Sequence, residues 1–242
     1  MNEEIKKAVN VAKRAQRNYD LSKSIPKNDL ETLIYTAKNS PSKQNETHYS
    51  LYIYTDKDII REIYNTTKKF ILYKQNDIVD ILDPNNNKNE QWMYDNTSVY
   101  NSQILANVLF VYVDHNGSAR GVTHMLAKHD DTESNEIYNI QKNYSIGISV
   151  GQLTLAATLL GYKTGICSAF DPDQVQEIIK SNNTVKLLVG IGYENIGVDR
   201  RFHAETLNKE ILENFRNGDL DEKWRFPSFQ KYTRVLINGK EQ

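Results

Sequence analysis

An uncharged stretch of 20 residues, from Asn143 to Tyr162, is the feature that most restricts how this chain can fold. A helix of that length could cross a bilayer. The stretch carries polar side chains at Ser145, Ser149, Gln152, Thr154 and Thr158. No belt of Trp or of Arg and Lys residues frames both ends, which argues against a membrane span. We therefore predict a helix over about 137–160, buried on most sides in a soluble core and ended by Gly161 as its C-cap.

The strands predicted around this helix belong to a sheet. The runs Val108–Val113 and Val185–Tyr193 are continuously apolar, which is typical of strands buried on both faces. His48–Thr55 alternates and is rich in aromatic residues, and Thr164–Ser168 predicts a further short strand. A terminal strand at 233–237 has no hairpin partner nearby, so we expect it to pair with the sheet edge or with a second subunit.

The remaining elements are predicted to be helices. Their expected ranges are 3–16, 27–39, 56–69, 98–106 and 171–181. A capping box of Asn28 and Glu31 is expected to begin the second helix, and Asp171 followed by Pro172 to begin the last. The segments 83–98 and 114–135 are polar and irregular, and 208–217 is polar with some helical character. With no repeat and no linker, the sequence predicts a single α+β domain over 1–242.

Composition excludes several functional classes. With 30 Lys+Arg and 31 Asp+Glu the formal net charge is −1, which argues against a nucleic-acid partner bound through positive charge. The single cysteine, Cys167, excludes an internal disulfide and a cysteine-cluster metal site. His124 and His129 lie in an acidic segment that is better explained as a solvated loop, so no metal is predicted. The charged N-terminus lacks the apolar region of a targeting signal, so we expect a cytoplasmic protein without membrane contact.

Four segments carry the residues from which a site could be built. They are 13–19 (KRAQRNY), 40–45 (SPSKQN), the long helix followed by 161–170 (GYKTGICSAF), and 190–193 (GIGY) followed by Arg200 and Arg201. Taken alone, the cations of the first segment are best explained as a solvated helix end and the second segment as a turn. Their order along the chain is the informative observation.

In this order and spacing, the four segments resemble the FMN-dependent nitroreductase family over roughly residues 5–202. Lys13 to Tyr19 is similar to the family's opening basic motif, and Pro41, Ser42 and Asn45 match its P-S-x-x-N motif. Ala157 to Tyr162 is similar to the end of the family's central helix. Ala169-Phe170, Gly192-Tyr193 and Arg200-Arg201 resemble its later motifs.

The resemblance implies a three-layer α+β fold with a central, mostly antiparallel sheet flanked by helices. It implies a homodimer in which the C-terminal extension 203–242 wraps the partner and exchanges its strand. It also implies FMN at the subunit interface. The implied cofactor-binding residues are Lys13, Arg14, Ala15, Arg17, Pro41, Ser42, Asn45, Cys167, Ser168, Ala169, Arg200 and Arg201.

Each implied role has a physical reason. The two basic clusters can converge on the FMN phosphate, for which Arg offers a bidentate fork. Arg17 would lie at the N1–O2 edge of the ring, where a cation stabilises reduced flavin and raises its potential. Ser42 and Asn45 would come from the partner subunit, and the backbone N–H of Ala169 would face flavin N5.

The implied activity is an NAD(P)H-dependent FMN oxidoreductase that reduces electron-poor small molecules, such as nitroaromatics or quinones, by a ping-pong hydride mechanism. No protein side chain would act as a nucleophile, because the chemistry would occur on FMN. Ala15, Ser168 and Ala169 depart from the usual motifs and leave the substrate range open. The alternatives are a flavin-fragmenting or dehalogenating enzyme of the same fold, a flavin-binding protein without turnover, and a domain that binds another phosphate ligand.

Overall fold

The computed structural model describes residues 2–42, 47–67, 70–71, 98–114, 132–198, 200, 203–204, 236–237 and 240–241. The helices are α1 (Glu3–Ala12), α2 (Lys27–Lys38), α3 (Lys57–Asn65), α4 (Thr132–Leu159) and α5 (Pro172–Ile179). The strands are β1 (Tyr49–Tyr54), β2 (Phe70–Ile71), β3 (Ser98–Val99), β4 (Val108–Asp114), β5 (Lys163–Cys167), β6 (Val185–Gly192), β7 (Leu236–Ile237) and β8 (Lys240–Glu241). A short 3₁₀ helix, Ser102–Ile104, precedes β4.

The central sheet has the order β1-β4-β6-β5, and each neighbouring pair is antiparallel. Strand β4 is buried along its whole length because it lies inside the sheet and is covered on both faces. Strand β5 is at one edge and pairs only with β6 within this sheet. The predicted α+β class and antiparallel sheet are confirmed.

Helices cover both faces of the sheet. On one face, Leu33 of α2 and Leu153 of α4 pack against Phe110 of β4. On the other face, Ile63 of α3 packs with Leu109 and neighbouring core residues, together with α5. Alternate residues of β4 thus enter opposite layers, as the two-residue period of a strand requires. This arrangement is the expected three-layer architecture.

Several helix boundaries match the predicted signals. The Asp171 carboxylate accepts hydrogen bonds from the backbone N–H groups of Asp173 and Gln174, with Pro172 at the first helical position. Gly161 ends α4 with a φ of +89°, a conformation that favours glycine. Both of these predictions are confirmed.

Other boundaries differ from the predictions. Helix α1 ends at Ala12 rather than at 16, because the backbone of Ala15 forms a bridge with Thr164 of β5. Helix α2 begins after Pro26, whose carbonyl accepts the N–H of Leu30, so the predicted Asn28 capping box is wrong. No α-helix covers 98–106, which instead holds β3 and the 3₁₀ turn.

The exposure of α4 and the C-terminal strand also differ from expectation. Helix α4 is not buried on most sides, because Ile140, Tyr144 and Ile148 are exposed in the isolated chain. The terminal strand does have a hairpin partner, since β7 pairs with β8 in antiparallel register. Most of the segments 83–98 and 114–135, and all of 208–217, lie outside the described residues.

Candidate functional site

The segment that follows α1 lies against the edge of β5. Ala15 bridges Thr164 in parallel register, and the backbone N–H of Gln16 donates a hydrogen bond to the Thr164 carbonyl oxygen at 2.8 Å. Lys13 and Arg14 lie in the turn just before this contact and are exposed. The edge of β5 therefore holds the basic segment in an extended course instead of letting α1 continue.

Arg200 joins the same place from the far end of the chain. The backbone N–H of Arg17 donates to the Arg200 carbonyl oxygen at 3.0 Å. The Arg200 guanidinium in turn donates to the Ala15 carbonyl oxygen at 3.0 Å, across 185 positions of sequence. The structure thus brings together two of the predicted basic segments, while Arg201 lies outside the described residues.

A buried hydroxyl and a buried imidazole lie beneath Arg17. The Ser102 hydroxyl donates to the Arg17 carbonyl oxygen at 2.6 Å. The Ser102 hydroxyl oxygen lies 3.0 Å from Nδ1 of His203 and accepts the backbone N–H of Ala204 at 3.1 Å. Because the single hydroxyl proton goes to a carbonyl, which only accepts, the hydrogen-bond network assigns the proton of the second contact to His203 Nδ1.

In the cluster formed by Arg17, Ser102 and His203, the charge is carried by Arg17 and not by His203. Burial, with a further contribution from the Arg17 charge, lowers the pKa of His203 to about 3, although a backbone hydrogen bond with Tyr100 acts in the opposite direction. Burial also raises the pKa of Tyr19, against the effect of Arg17. At neutral pH the imidazole and the phenol are both uncharged, and Arg17 is only 8% exposed.

Gly165 lets the 3₁₀ turn and the basic segment approach the backbone of β5 closely. A Cβ at this position would collide with the backbone carbonyl oxygen of Gln103 and would lie 2.8 Å from that of Gln16. The 3₁₀ turn and the basic segment therefore both press against the bare backbone of β5. Any larger residue would push them away from the strand.

The other end of β5 opens towards a cavity. Ser168 is exposed, Ala169 is half-buried and Phe170 is buried. The cavity has a volume of about 490 Å³, and its lining includes Thr66, Thr67, Tyr100, Phe170, Asp171 and Gln174. A bridge between Thr67 and Phe170 holds the end of α3 beside the loop that follows β5.

Cys167 faces the core and not this cavity. Its thiol accepts a hydrogen bond from Nδ2 of Asn101 at 3.1 Å and is almost completely buried. Burial raises the pKa of the thiol to about 11. A thiol with that pKa is protonated at neutral pH, so it is unsuited to nucleophilic catalysis. Only the backbone of Cys167 is therefore left to contact a ligand bound along β5.

Of the predicted segment 40–45, the structure describes only residues 40–42. The Ser42 hydroxyl accepts the backbone N–H of Thr47 at 2.8 Å, and Thr47 has a φ of +47°, which is rare for a β-branched residue. Asn45 lies outside the described residues. The hydrogen bonds described for Ser42 do not link it to Arg17 or Arg200.

Comparison with known proteins assigns the chain to a family. The sequence profile of the Nitroreductase family matches residues 11–193. The chain belongs to the Nitroreductase family. That match includes the basic segment, the long helix α4 and the strands β4, β5 and β6, so the sheet and the site lie largely inside the region that defines the family. Membership supports an oxidoreductase function in general terms.

Solved structures share the fold at low sequence identity. A nitroreductase family protein from Clostridium novyi NT is 19% identical with a TM-score of 0.53, over 82% of this chain and 88% of that one. A protein from Staphylococcus epidermidis described as an NAD(P)H:FMN oxidoreductase is 12% identical with a TM-score of 0.55, over 86% and 96%. A BluB-like flavoprotein from Clostridium difficile 630 is 14% identical with a TM-score of 0.54, over 84% and 93%.

No curated protein matches the sequence significantly. Among the helices that the structure describes, none combines the length and the apolar character needed to cross a bilayer. Within the described part of the chain, no group of three or more His, Cys, Asp or Glu side chains is arranged to hold a metal ion.

The sequence analysis did not predict the contact between Ser102 and His203 beneath Arg17. Ser102 and His203 are 101 positions apart, and no local pattern links them. Asn107 was also missed. Its amide group donates to the carbonyl oxygens of Asp20 and Lys23 and accepts the N–H of Tyr193, which joins the loop after the basic segment to the end of β6. Polar residues inside an apolar context were the only available signal.

Proposed function

We propose that this chain is an FMN-dependent oxidoreductase that uses NADH or NADPH to reduce small electron-poor acceptors such as nitroaromatics or quinones. The observation that carries the proposal is the mutual contact of Ala15, Arg17 and Arg200 at the edge of β5. A guanidinium held against a backbone carbonyl has a defined position and direction. Fixed cations of this kind are what a phosphate dianion requires.

The donor set fits FMN along the length of β5. At the Thr164 end, Lys13, Arg14 and Arg200 provide cations for the phosphate. At the other end, the backbone N–H of Ala169 would face the ring. A strand rises about 3.3 Å per residue, so Thr164 and Cys167 are roughly 10 Å apart along β5, and Ala169 follows two residues later. Ala15 lacks the hydroxyl that the family motif has there, so one phosphate contact is absent.

Each part of the site would have a separate task. Bound FMN would supply hydride transfer at N5, accepting from the nicotinamide and passing electrons to the acceptor in a second half-reaction. Arg17 would stabilise negative charge at one edge of the ring, strengthened by its burial. Tyr100 and Phe170 would provide flat apolar walls for an aromatic acceptor in the adjoining cavity.

The proposed enzyme is a homodimer. The exposed apolar side chains of α1 and α4 include Ile5 and Val9 of α1 and Ile140, Tyr144 and Ile148 of α4. The three on α4 are four residues apart and therefore share one face. On the same helix, Gly147 and Gly151 have open space where a Cβ would stand, which would let a second helix approach closely. The exchange proposed for the C-terminal segment 203–242 can involve only residues beyond Ala204, because His203 and Ala204 contact Ser102 of their own chain. A cytoplasmic location belongs to the same proposal.

An absorbance spectrum tests the cofactor and the electron donor together. The purified chain is incubated with FMN, freed of unbound flavin, and recorded anaerobically before and after NADH and then NADPH. We expect flavin bands that bleach with at least one nucleotide. Bands that persist would favour a specialised enzyme of the same fold or a flavin-binding role. The absence of bands would contradict the proposed cofactor.

The choice of acceptor needs a second experiment. The reduced protein is mixed with a quinone or a nitroaromatic, and reappearance of the oxidised flavin bands is followed by stopped flow. Reoxidation that becomes faster as the acceptor concentration increases supports the proposed ping-pong order. Reoxidation by oxygen alone would contradict the proposed acceptor class.

A further inference from the structure

The peptide unit of Arg17 is held at both of its polar groups. Its N–H donates to the Arg200 carbonyl oxygen, and its own carbonyl oxygen accepts the Ser102 hydroxyl at 2.6 Å. Ser102 is completely buried, so water does not compete for this hydrogen bond. Fixing both ends of a residue's backbone reduces the directions in which its side chain can leave the main chain.

His203 completes this arrangement from below. Its Nδ1 lies 3.0 Å from the Ser102 oxygen, and Ala204 adds its backbone N–H to the same oxygen. With two N–H groups directed at its oxygen, the hydroxyl proton is left to point at the Arg17 carbonyl. His203 therefore sets the direction of the Ser102 hydroxyl, and Ser102 sets the position of Arg17.

The neutral form of the imidazole suits this task. His203 is completely buried and close enough to Arg17 for the two charges to interact. A protonated ring would repel the guanidinium in a medium of low dielectric constant. A neutral ring donates its hydrogen bond without adding a second positive charge, which leaves Arg17 as the charge that a bound anion would meet.

We propose that His203 is a positioning residue of the flavin site, which acts through Ser102 to fix Arg17 beside the reducible ring. This inference rests on the proposed function, because it takes FMN as the ligand that Arg17 faces. His203 and Ser102 do not touch the reacting atoms. Their effect is to preorganise a cation whose contribution is greater for reduced than for oxidised flavin.

The test compares variants of the full chain loaded with FMN. Ser102→Ala removes the hydroxyl and His203→Leu removes the ring, whereas His203→Asn keeps an N–H near the position of Nδ1. Ser149→Ala is the matched control, because Ser149 is also completely buried and donates to a backbone carbonyl, that of Ala37, in the opposite layer. Two quantities are measured: the Kd for FMN from fluorescence quenching, and the midpoint potential of the bound flavin.

We expect Ser102→Ala and His203→Leu to raise the Kd for FMN about tenfold, the effect of one lost buried hydrogen bond, and to make the midpoint potential more negative. His203→Asn should restore the Kd to within about threefold of the wild-type value, since one hydrogen bond of this kind is retained. The double variant should be no worse than the poorer single variant, because both changes break the same chain of contacts. Ser149→Ala should lower the melting temperature without altering the potential.

Two results would overturn the inference in distinguishable ways. If the wild-type chain binds FMN and Ser102→Ala changes the potential no more than Ser149→Ala does, the pair is a purely structural contact. This result would leave the proposed function intact. If the wild-type chain takes up no FMN, the proposed function fails and the inference fails with it. Should His203→Leu not fold, the comparison of Ser102→Ala with Ser149→Ala still decides the outcome.

Discussion

The backbone N–H of Arg17 donates a hydrogen bond to the carbonyl oxygen of Arg200 at 3.0 Å. This contact joins the segment after the first helix to a segment beyond the last strand of the central sheet. Both residues then lie at the edge of β5, where Arg200 also reaches the carbonyl of Ala15. The proposed phosphate site, assembled from such distant segments, can exist only in the folded chain.

Replacement of Arg200 tests the phosphate end of the site. Arg200→Ala removes a charged donor that contacts Ala15, and we expect the Kd for FMN to rise roughly 10- to 100-fold, as for the loss of one charge-assisted hydrogen bond. Arg61→Ala, which removes an exposed arginine of α3, is the matched control and should leave the Kd unchanged. Equal Kd values for the two variants would contradict the assignment.

Replacement of Arg17 tests the ring end. Arg17→Ala should weaken FMN retention and lower the potential of the bound flavin, because the cation favours the reduced form. The potential is measured by equilibration with a reference dye under anaerobic conditions. Arg200→Ala serves as the comparison, since a phosphate contact affects both redox states alike and should alter affinity more than potential. An unchanged potential in Arg17→Ala would rule out the ring-edge role.

The close approach at Gly165 makes a prediction about stability. Gly165→Ala places a methyl group against the backbone of Gln103 and Gln16, and we expect the free energy of unfolding to fall by about 1–3 kcal/mol through overpacking. FMN affinity should fall as well, since the basic segment is displaced. Ile166→Ala changes an adjacent, partly exposed side chain and should keep FMN affinity. Urea unfolding and FMN titration measure both effects, and normal FMN binding by Gly165→Ala would refute the coupling.

Burial of His203 makes stability depend on pH. The pKa of His203 is about 3 in the folded chain and near 6.5 when unfolded, so between these values the unfolded chain binds a proton that the folded chain excludes. The contribution of the neutral His203 to the free energy of unfolding is therefore fully present above about pH 6.5. It is lost progressively as the pH falls towards 3. From pH 7 to pH 5 the wild type should lose about 2 kcal/mol more than His203→Asn in urea unfolding. Parallel losses in the two proteins would show that His203 does not cause the dependence.

The exposed face of α4 predicts the oligomeric state. Tyr144 is 67% exposed, and Tyr144→Glu should convert the proposed dimer into a monomer at micromolar concentration by placing a charge in an apolar interface. Tyr35→Glu is the matched control, because Tyr35 is 70% exposed on α2 and lies outside that face. Light scattering coupled to size exclusion measures both. A monomeric wild type, or dissociation by both variants, would contradict an interface on α4.

Local patterns in the sequence were sufficient for most of the fold. The continuous apolar run at Val108–Val113 predicted a fully buried strand, and Asp171 with Pro172 predicted the start of α5. Such signals work because burial and capping depend on a few neighbouring residues. The predictions that failed concern places where tertiary contacts override local preference, as at Ala15, where pairing with β5 ends the helix early.

The sequence by itself determined the family, the antiparallel sheet with its two helical layers, and the basic residues at 13–17 and 200. Apolar periodicity predicted the helices and strands. The ordered motifs carried the family resemblance, which implied the arrangement of the sheet and the basic site residues. Only the tertiary structure decided that Arg17 lies above Ser102 and His203, and that Cys167 faces the core. The physical reason is that hydrogen bonds between residues about a hundred positions apart depend on how layers pack, and packing leaves no periodic trace in the chain.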